Sequence, residues 1–478
     1  MSARKRLVLV VESGSRHLNI FSQFTLPRLG SFILAGLANQ HGRWTGRVFI
    51  EGRQWLDLDA WISRHGRPDL VAISTITPTV RRGYQLADLS RSKGIPVIIG
   101  GPHVTFMPDE ALEHADFVVR GEGENAFRTL LDIWSDNPIE LKNHLYTGVP
   151  GLSWKDDVGQ NHHNPPGPGV ENLDLLPVPD FSVADGTADC VIGRKRTVIV
   201  QTSRGCPFDC SFCSVTAMFG RKMRYRSVSS VVEELRKYNT PDHVVFFCDD
   251  NFAANKARAR QLVEAILEKG FRFRWSTQVR TDVARDPELL RMMKRSGAHT
   301  LFIGFESVNP GSLAEMRKAQ ELDEMRAAIE AIHGVGLHIH GMFVFGFEND
   351  DQRTVEKTVD FIKQMRLTSA QLLILTPLPG TQLHWKFSQE KRLLTQDWDL
   401  YDAHHVVFRP AMLTPVQLQR AQVEGHSRLY AMHEIVKKIF TGRFLSAGLA
   451  IYARRINRRW QEQNAGYMDW LNGIQSAS

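Results

Sequence analysis

Apolar positions in the first third of the chain fall in short blocks separated by amphipathic stretches. Blocks at 6–11, 47–50, 70–74, 96–99 and 117–119 have the length of strands rather than of buried helices. The stretches between them, notably 29–39, 80–92 and 124–134, repeat apolar residues at helical spacing. Strands that alternate with helices at intervals of about 20–25 residues predict an open, doubly wound parallel sheet over 5–135. In such sheets a ligand sits beyond the carboxyl ends of the strands. Those ends carry Ser74-Thr75-Ile76-Thr77-Pro78, Gly100-Gly101-Pro102-His103 and Gly121-Glu122-Gly123-Glu124.

Periodicity is lost over 140–195, where 164–169 read Asn-Pro-Pro-Gly-Pro-Gly and 176–180 read Leu-Pro-Val-Pro-Asp. These are turn and extended signals, and the stretch reads as a linker. From Thr197 the alternation returns, with six apolar blocks at 198–202, 244–248, 274–278, 300–305, 338–345 and 370–375. A helix over 230–238 opens with Ser230 and Glu233 spaced as a capping box. Six such units predict a partial (βα)6 barrel related to the TIM fold, with chemistry at the carboxyl ends of its strands. The chain beyond about 385 is irregular and then helical. The predicted α/β organisation is a sheet domain over 1–140, a linker over 141–195, a barrel core over 196–385 and a helical region over 386–478.

Composition narrows the class. A chain of 478 residues exceeds one hydrophobic core, and 42% hydrophobic with 23% charged residues is ordinary for a globular protein. No run of about 20 apolar residues occurs, so no spanning helix is expected. The basic N-terminus lacks a cleavage site and reads as a first strand, which implies a cytoplasmic protein. A net charge of +7 with no legible nucleic-acid module gives no ground for a nucleic-acid partner.

Five cysteines do not make a disulfide framework, but three of them lie together in Arg204-Gly205-Cys206-Pro207-Phe208-Asp209-Cys210-Ser211-Phe212-Cys213, directly after the first barrel strand. A [4Fe–4S] cluster takes cysteine thiolates, usually four. Three on one loop leave the fourth iron open to a chelating ligand, a role suited to the amino and carboxylate groups of S-adenosylmethionine (SAM). A structural zinc site would need a fourth Cys or His nearby, and no paired partner is visible.

This C-x3-C-x2-C pattern at a strand-to-loop junction, with Phe212 just before the last cysteine, resembles the signature of the radical SAM superfamily. The sheet domain ahead of it resembles the cobalamin-binding domain of the B12-dependent subgroup, and the likeness spans roughly residues 5–390. The resemblance implies that Cys206, Cys210 and Cys213 hold the cluster. It implies that Asp249 and Asp250, in Phe247-Cys248-Asp249-Asp250-Asn251-Phe252, hold the amino end of SAM, with Phe212 beside it. Glu306, in Gly304-Phe305-Glu306-Ser307, matches the position that meets the SAM ribose. Gly341 and Gly346 match the glycine segment near the adenine, and Pro377-Leu378-Pro379-Gly380 closes the sixth strand. Acidic groups accept from an ammonium or hydroxyls, and glycines let the backbone approach a ligand.

For cobalamin, the resemblance implies a lining of Ser74, Thr75, Thr77, Gly100, Gly101, His103, Gly121, Glu122 and Glu124. The D-x-H-x-x-G signature of proteins that offer histidine to cobalt is absent after the first strand, where Glu12-Ser13-Gly14-Ser15-Arg16-His17 stands instead. His17 and His103 are candidates for the lower cobalt ligand, and a lower face with no protein ligand is the preferred reading. A doubly wound module that binds another cofactor is the competing one.

Three further features carry two readings each, and the two remaining cysteines carry one. His338 and His340 share one face of a strand; facing the lumen they would position substrate or move a proton, and otherwise they are structural. Arg280 suits the SAM carboxylate or a surface ion pair. Cys190 and Cys248 read as spare thiols, Cys248 in the core. The basic tail, with Lys437, Lys438, Arg443, Arg454, Arg455, Arg458 and Arg459 among apolar residues, suits either a barrel cap or a peripheral contact with the inner membrane surface.

The resemblance implies reductive cleavage of SAM, hydrogen abstraction from an unactivated carbon and methyl transfer through cobalamin to a small-molecule or lipid-like substrate. The electron would come from a partner such as flavodoxin or ferredoxin. Oxidative cyclisation, ring contraction or hydroxylation with the same cofactors is the first alternative, and a non-catalytic cobalamin or redox sensor the second.

Overall fold

The computed structural model describes every residue except 1–3, 16, 18–25, 53, 140–142, 186–189, 193–194, 319 and 477–478. The chain divides into two compact units, residues 1–205 with 214–230 and 378–380, and residues 206–213 with 231–377 and 381–478.

In the first unit, Val8, Leu9, Val10 and Val11 of strand β1 (Arg6–Glu12) are wholly buried. β1 lies between two parallel neighbours, β2 (Trp44–Ile50) and β3 (Leu70–Ser74), so its apolar run is continuous rather than alternating. β4 (Val97–Gly100) and β5 (Phe117–Val119) extend the sheet beside β3, giving the order β2-β1-β3-β4-β5. Right-handed crossovers that run to opposite sides of β1 put helices on both faces, so the sheet is doubly wound. Helices α1 (Leu29–His41) and α3 (Glu124–Asp136) pack together, whereas α2 (Val80–Ser92) packs on β3 and β4. The strand order reverses between β1 and β3, where Ser13 N–H donates to Ser74 O at 3.2 Å. This is the switch point at which such sheets open a ligand crevice.

Part of the expected linker is sheet. β6 (Leu152–Lys155) pairs antiparallel with β5, β7 (Asn161–His163) pairs with β6, and β8 (Ala184–Asp185) adds to β2 at the other edge. Pro and Gly dominate the local pattern and mask a three-residue apolar signal, yet Trp154 is buried and its ring meets His162 at 5.2 Å. The strand expected at 198–202 is found as β10 (Lys195–Val200), antiparallel to β9 (Cys190–Ile192). The Cys190 side chain lies outside the described residues. A short hairpin, β11 (Ser203–Arg204) with β12 (Arg224–Tyr225), completes the unit. The helix expected at 230–238 is α4 (Val228–Arg236). Ser227 Oγ, not Ser230, accepts from the Ser230 N–H at 3.1 Å, so the helix begins earlier than the Ser-x-x-Glu spacing suggests.

The second unit carries five parallel strands in chain order: β13 (His243–Phe247), β14 (Arg274–Val279), β15 (Ala298–Glu306), β16 (His338–Phe345) and β17 (Ser369–Ile374). Helices α5 (Lys256–Glu268), α6 (Pro287–Arg295), α7 (Leu322–Gly334) and α8 (Gln352–Gln364) connect them. Crossovers in one direction place every helix on one face, and the sheet curls into a partial barrel. Phe305 and Phe343 face outward, their rings 6.5 and 6.3 Å from Phe361 of α8. Alternation therefore sends Phe302, Glu306, His340 and Met342 to the concave side. Helices α9 (Pro415–Leu429), α10 (Met432–Phe440), α11 (Phe444–Gln463) and α12 (Ala465–Ser476) follow. Among the described residues no helix is long and apolar enough to cross a membrane.

Candidate functional site

The cysteine loop belongs to the second unit. Cys206, Cys210 and Cys213 are half-buried and in no disulfide. The loop is tied by the Cys213 N–H to Cys210 O at 3.1 Å and by the Leu383 N–H to Ser211 O at 3.2 Å. Phe212 meets Phe347 edge-on, with ring centres 5.9 Å apart. The Arg280 guanidinium lies over Phe208, 3.8 Å from the ring centre, so it is held against the loop, and it makes no ion pair among the described residues. Burial pushes the Cys206 thiol up; Asp250 and Cys210 add to this, and Arg280 opposes it. An incoming metal must displace that proton.

Among the described residues no three His, Cys, Asp or Glu side chains converge as ligands of one ion would. A closed zinc site needs such convergence, but thiolates that bind different irons of a cubane do not. The donor set, three thiols on an eight-residue loop, fits a cluster with one open iron.

The strand ends supply polar groups beside the loop. Asp249 is buried, and burial followed by the charge of Asp249 raises Asp250 to about 7. Asn251 is 2% exposed, and neither atom of its amide has a hydrogen-bond partner. An orphaned buried amide is costly, and it fits a site that a polar ligand completes. The Asp249–Asn251 run is legible in the sequence; the orphaned amide is not. Cys248, read from the sequence as core, is half-buried just past β13.

At the end of β15, Glu306 has φ 64°, the left-handed region that non-glycine residues seldom occupy. Its carboxylate receives the buried Lys318 ammonium at 2.6 Å, and Lys318 also donates to Gly304 O. A Cβ on Gly304 would stand 2.3 Å from Glu306 Oε1, so only glycine admits this arrangement. Lys318 has no sequence signal, since it sits in a loop. Ser307 is buried and its Oγ accepts from the Asn309 N–H at 3.0 Å.

The two glycines of β16 differ in role. A Cβ on Gly341 would meet Leu367 Cδ1 at 2.8 Å, which places it on the helix-covered face. Gly346, at φ 114°, donates its N–H to the buried carboxylate of Asp350. His338 Nδ1 lies 3.3 Å from Thr368 Oγ1. His340 Nδ1 lies 2.8 Å from Ser369 Oγ, with its ring 4.9 Å from Phe302. Burial lowers His340 to about 4, against a hydrogen bond with Gln371, so it is neutral near pH 7.

In the first unit the ends of β3, β4 and β5 present Ser74, Gly100 and Val119 side by side, and Gly121 follows two residues after Val119. Thr75 and Thr77 are buried, and the Gly121 N–H donates to Thr105 Oγ1. Gly101 has φ 119°, and a Cβ there would fall 2.0 Å from Thr75 O. The small residues leave an edge with hydroxyl and amide groups but no bulk, which fits the amide-rich periphery of a corrin. His103 is 1% exposed with Nε2 3.3 Å from Glu110 Oε1, while His17 is half-buried.

Glu122 and Glu124 point at arginines. Arg204 donates to Glu122 Oε2 at 2.9 Å and to Glu124 Oε1 at 2.6 Å; Arg224 also pairs with Glu122. Burial would raise Glu122, but Arg224 and Arg204 outweigh it and hold the carboxyl below its usual range. All four side chains are at least nine-tenths buried.

Comparison with known proteins agrees with this geometry. The radical SAM superfamily profile matches residues 200–362, and the B12 binding domain profile matches 18–131. An uncharacterized methyltransferase of Pyrococcus horikoshii is 33% identical over 382 residues, covering 78% of this chain and 81% of the relative. Bacteriochlorophyllide d C-12(1)-methyltransferase of Chlorobaculum tepidum is 28% identical, over 91% of this chain and 90% of its own. The fold is shared with the radical SAM methyltransferase TsrM of Kitasatospora setae, solved with cobalamin and a [4Fe–4S] cluster bound. The TM-score is 0.65 at 17% identity, over 81% of this chain and 78% of that one. The chain belongs to the radical SAM superfamily, in the group that carries an N-terminal B12-binding domain.

Proposed function

We propose that this protein methylates an unactivated carbon of a small-molecule or lipid-like substrate, using a [4Fe–4S] cluster, SAM and cobalamin. The observation that carries the reading is the three-thiol loop set against Asp250 and Arg280, in a chain that also has a B12-binding domain. When bound, these cofactors supply the electron, the radical and the methyl group.

The chain's own residues bind and orient. Cys206, Cys210 and Cys213 hold the cluster. Asp249, Asp250 and the Asn251 amide accept from or donate to the amino-acid end of SAM, and Arg280 offers a planar fork to its carboxylate. Glu306, fixed by Lys318, accepts from ribose hydroxyls. The edge of small residues from Ser74 to Gly121 cradles cobalamin, and Glu122 and Glu124 serve by holding Arg204 and Arg224. His340, neutral, offers a hydrogen bond to substrate from the concave face rather than a charge. A small reducing protein of the flavodoxin or ferredoxin type supplies the electron.

The test is anaerobic reconstitution with iron, sulfide and hydroxocobalamin, then reduction with SAM and chromatography of the nucleosides. Methylation predicts 5′-deoxyadenosine together with S-adenosylhomocysteine once substrate is present. 5′-Deoxyadenosine without S-adenosylhomocysteine would replace methylation by cyclisation, ring contraction or hydroxylation. A cluster that binds SAM without cleaving it would make the protein a sensor.

A further inference from the structure

We propose that the hairpin of α10 and α11 is a docking surface for an anionic lipid bilayer. In α10, Met432, Val436, Ile439 and Phe440 are exposed at a spacing that lines one side of the helix, while Ile435, at the edge of that stripe, is buried. Phe440 is 86% and Phe444 70% exposed, one at each end of the turn between the helices. Such exposure means that most of each side chain is left uncovered by the rest of the protein. Isolated exposed hydrophobics are ordinary, but this cluster on one hairpin is not.

Charge decides the occupant. Along α11 the side that starts with Phe444 and Ile451 continues with Arg455, Arg458 and Arg459, while Ser446, Ala447, Ala450 and Trp460 are buried on the other. The helix spans 20 residues, about 30 Å, so one face is apolar at its beginning and cationic at its end. Lys437 of α10 adds a cation beside the apolar stripe. Of the nearby carboxylates, Glu434 is engaged by Lys363 and Glu462 by Arg458. Arg454, Arg455 and Arg459 make no ion pair among the described residues. An apolar ridge beside unneutralised arginines matches a bilayer with anionic headgroups. A second copy of this chain would bring like charges face to face. No helix among the described residues is able to span, so the proposed contact is a peripheral one. The inference does not depend on the proposed reaction, since it concerns lipid and not catalysis.

The experiment is flotation of the full chain with vesicles of phosphatidylcholine alone and of phosphatidylcholine and phosphatidylglycerol in equal parts. The expected result is binding to the anionic vesicles only, weakened by salt. Phe440→Ser with Phe444→Ser should lower it at least about tenfold, as should Gln at Arg454, Arg455, Arg458 and Arg459. Leu175→Ser, at an exposed apolar residue of the first unit, should leave it unchanged. Circular dichroism of each variant confirms folding. Equal binding to both vesicles, no binding to either, or a concentration-dependent dimer that the Phe440 and Phe444 changes abolish would each overturn the proposal.

Discussion

Lys318 Nζ lies 2.6 Å from Glu306 Oε1, at a residue whose backbone is left-handed. Both side chains are largely buried, so the lysine neutralises and aims the one carboxylate at the end of β15. Lys318→Met should leave Glu306 buried and unpaired, lowering unfolding free energy by roughly 3 kcal/mol. It should also weaken SAM binding, read by equilibrium dialysis on the reconstituted protein. An unchanged denaturation midpoint would show that the pair contributes nothing net.

The Glu122 carboxylate joins Arg204 and Arg224 inside the first unit. Removing its charge leaves two buried guanidinium groups short of a partner. Glu122→Gln should destabilise by about 3–5 kcal/mol in urea titration, whereas removing an exposed pair such as Lys222 with Glu171 should leave stability nearly unchanged. Equal effects at the two sites would contradict the argument from burial.

His405 Nδ1 sits 3.0 Å from Asp402 Oδ1, and its Nε2 lies 2.8 Å from Asn464 Oδ1. Burial pulls His405 down, but Asp402 outweighs it and the imidazole is raised above 6.5. Burial pushes Asp402 up, but His405 outweighs it and the carboxyl falls below 3.8. The histidine's contribution is full below 6.5 and is lost as pH rises through its raised value; the aspartate's is full above 3.8 and is lost as pH falls through its lowered one. The stability gap between the protein and a His405→Gln, Asp402→Asn variant should therefore be widest between pH 3.8 and 6.5. Thermal melts that show the gap widening above neutrality would contradict this.

His340 has the opposite sign. Held to about 4, it stays neutral in the fold while the unfolded chain takes up a proton below 6.5. Stability should fall on that account between pH 6.5 and 4, by roughly 3 kcal/mol, and His340→Gln should remove that part of the acid sensitivity. A variant with an unaltered pH profile would show that the imidazole titrates normally.

Local spacing made the cysteine loop, the two β–α alternations and the acidic run after β13 legible, because each is written within about ten residues. Partners distant in the chain were not. Arg204 meets Glu122 across 82 positions, and nothing in either neighbourhood marks a buried charge. Glu122 and Glu124 read as ligand-facing because they end a strand, yet their carboxylates are turned to arginines. β6 and β7 were hidden by the proline- and glycine-rich signal around them. The exposure of Phe440 and Phe444 is likewise invisible in a helical pattern, which shows that a face is apolar but not whether anything covers it.

The most direct test of the central claim is electron paramagnetic resonance of the anaerobically reconstituted, reduced protein with and without SAM. Three cysteine ligands and one open iron predict a [4Fe–4S] signal that changes when SAM is added, and no such signal after Ala replaces Cys206, Cys210 and Cys213. A signal indifferent to SAM, or one that survives the triple replacement, would contradict the assignment.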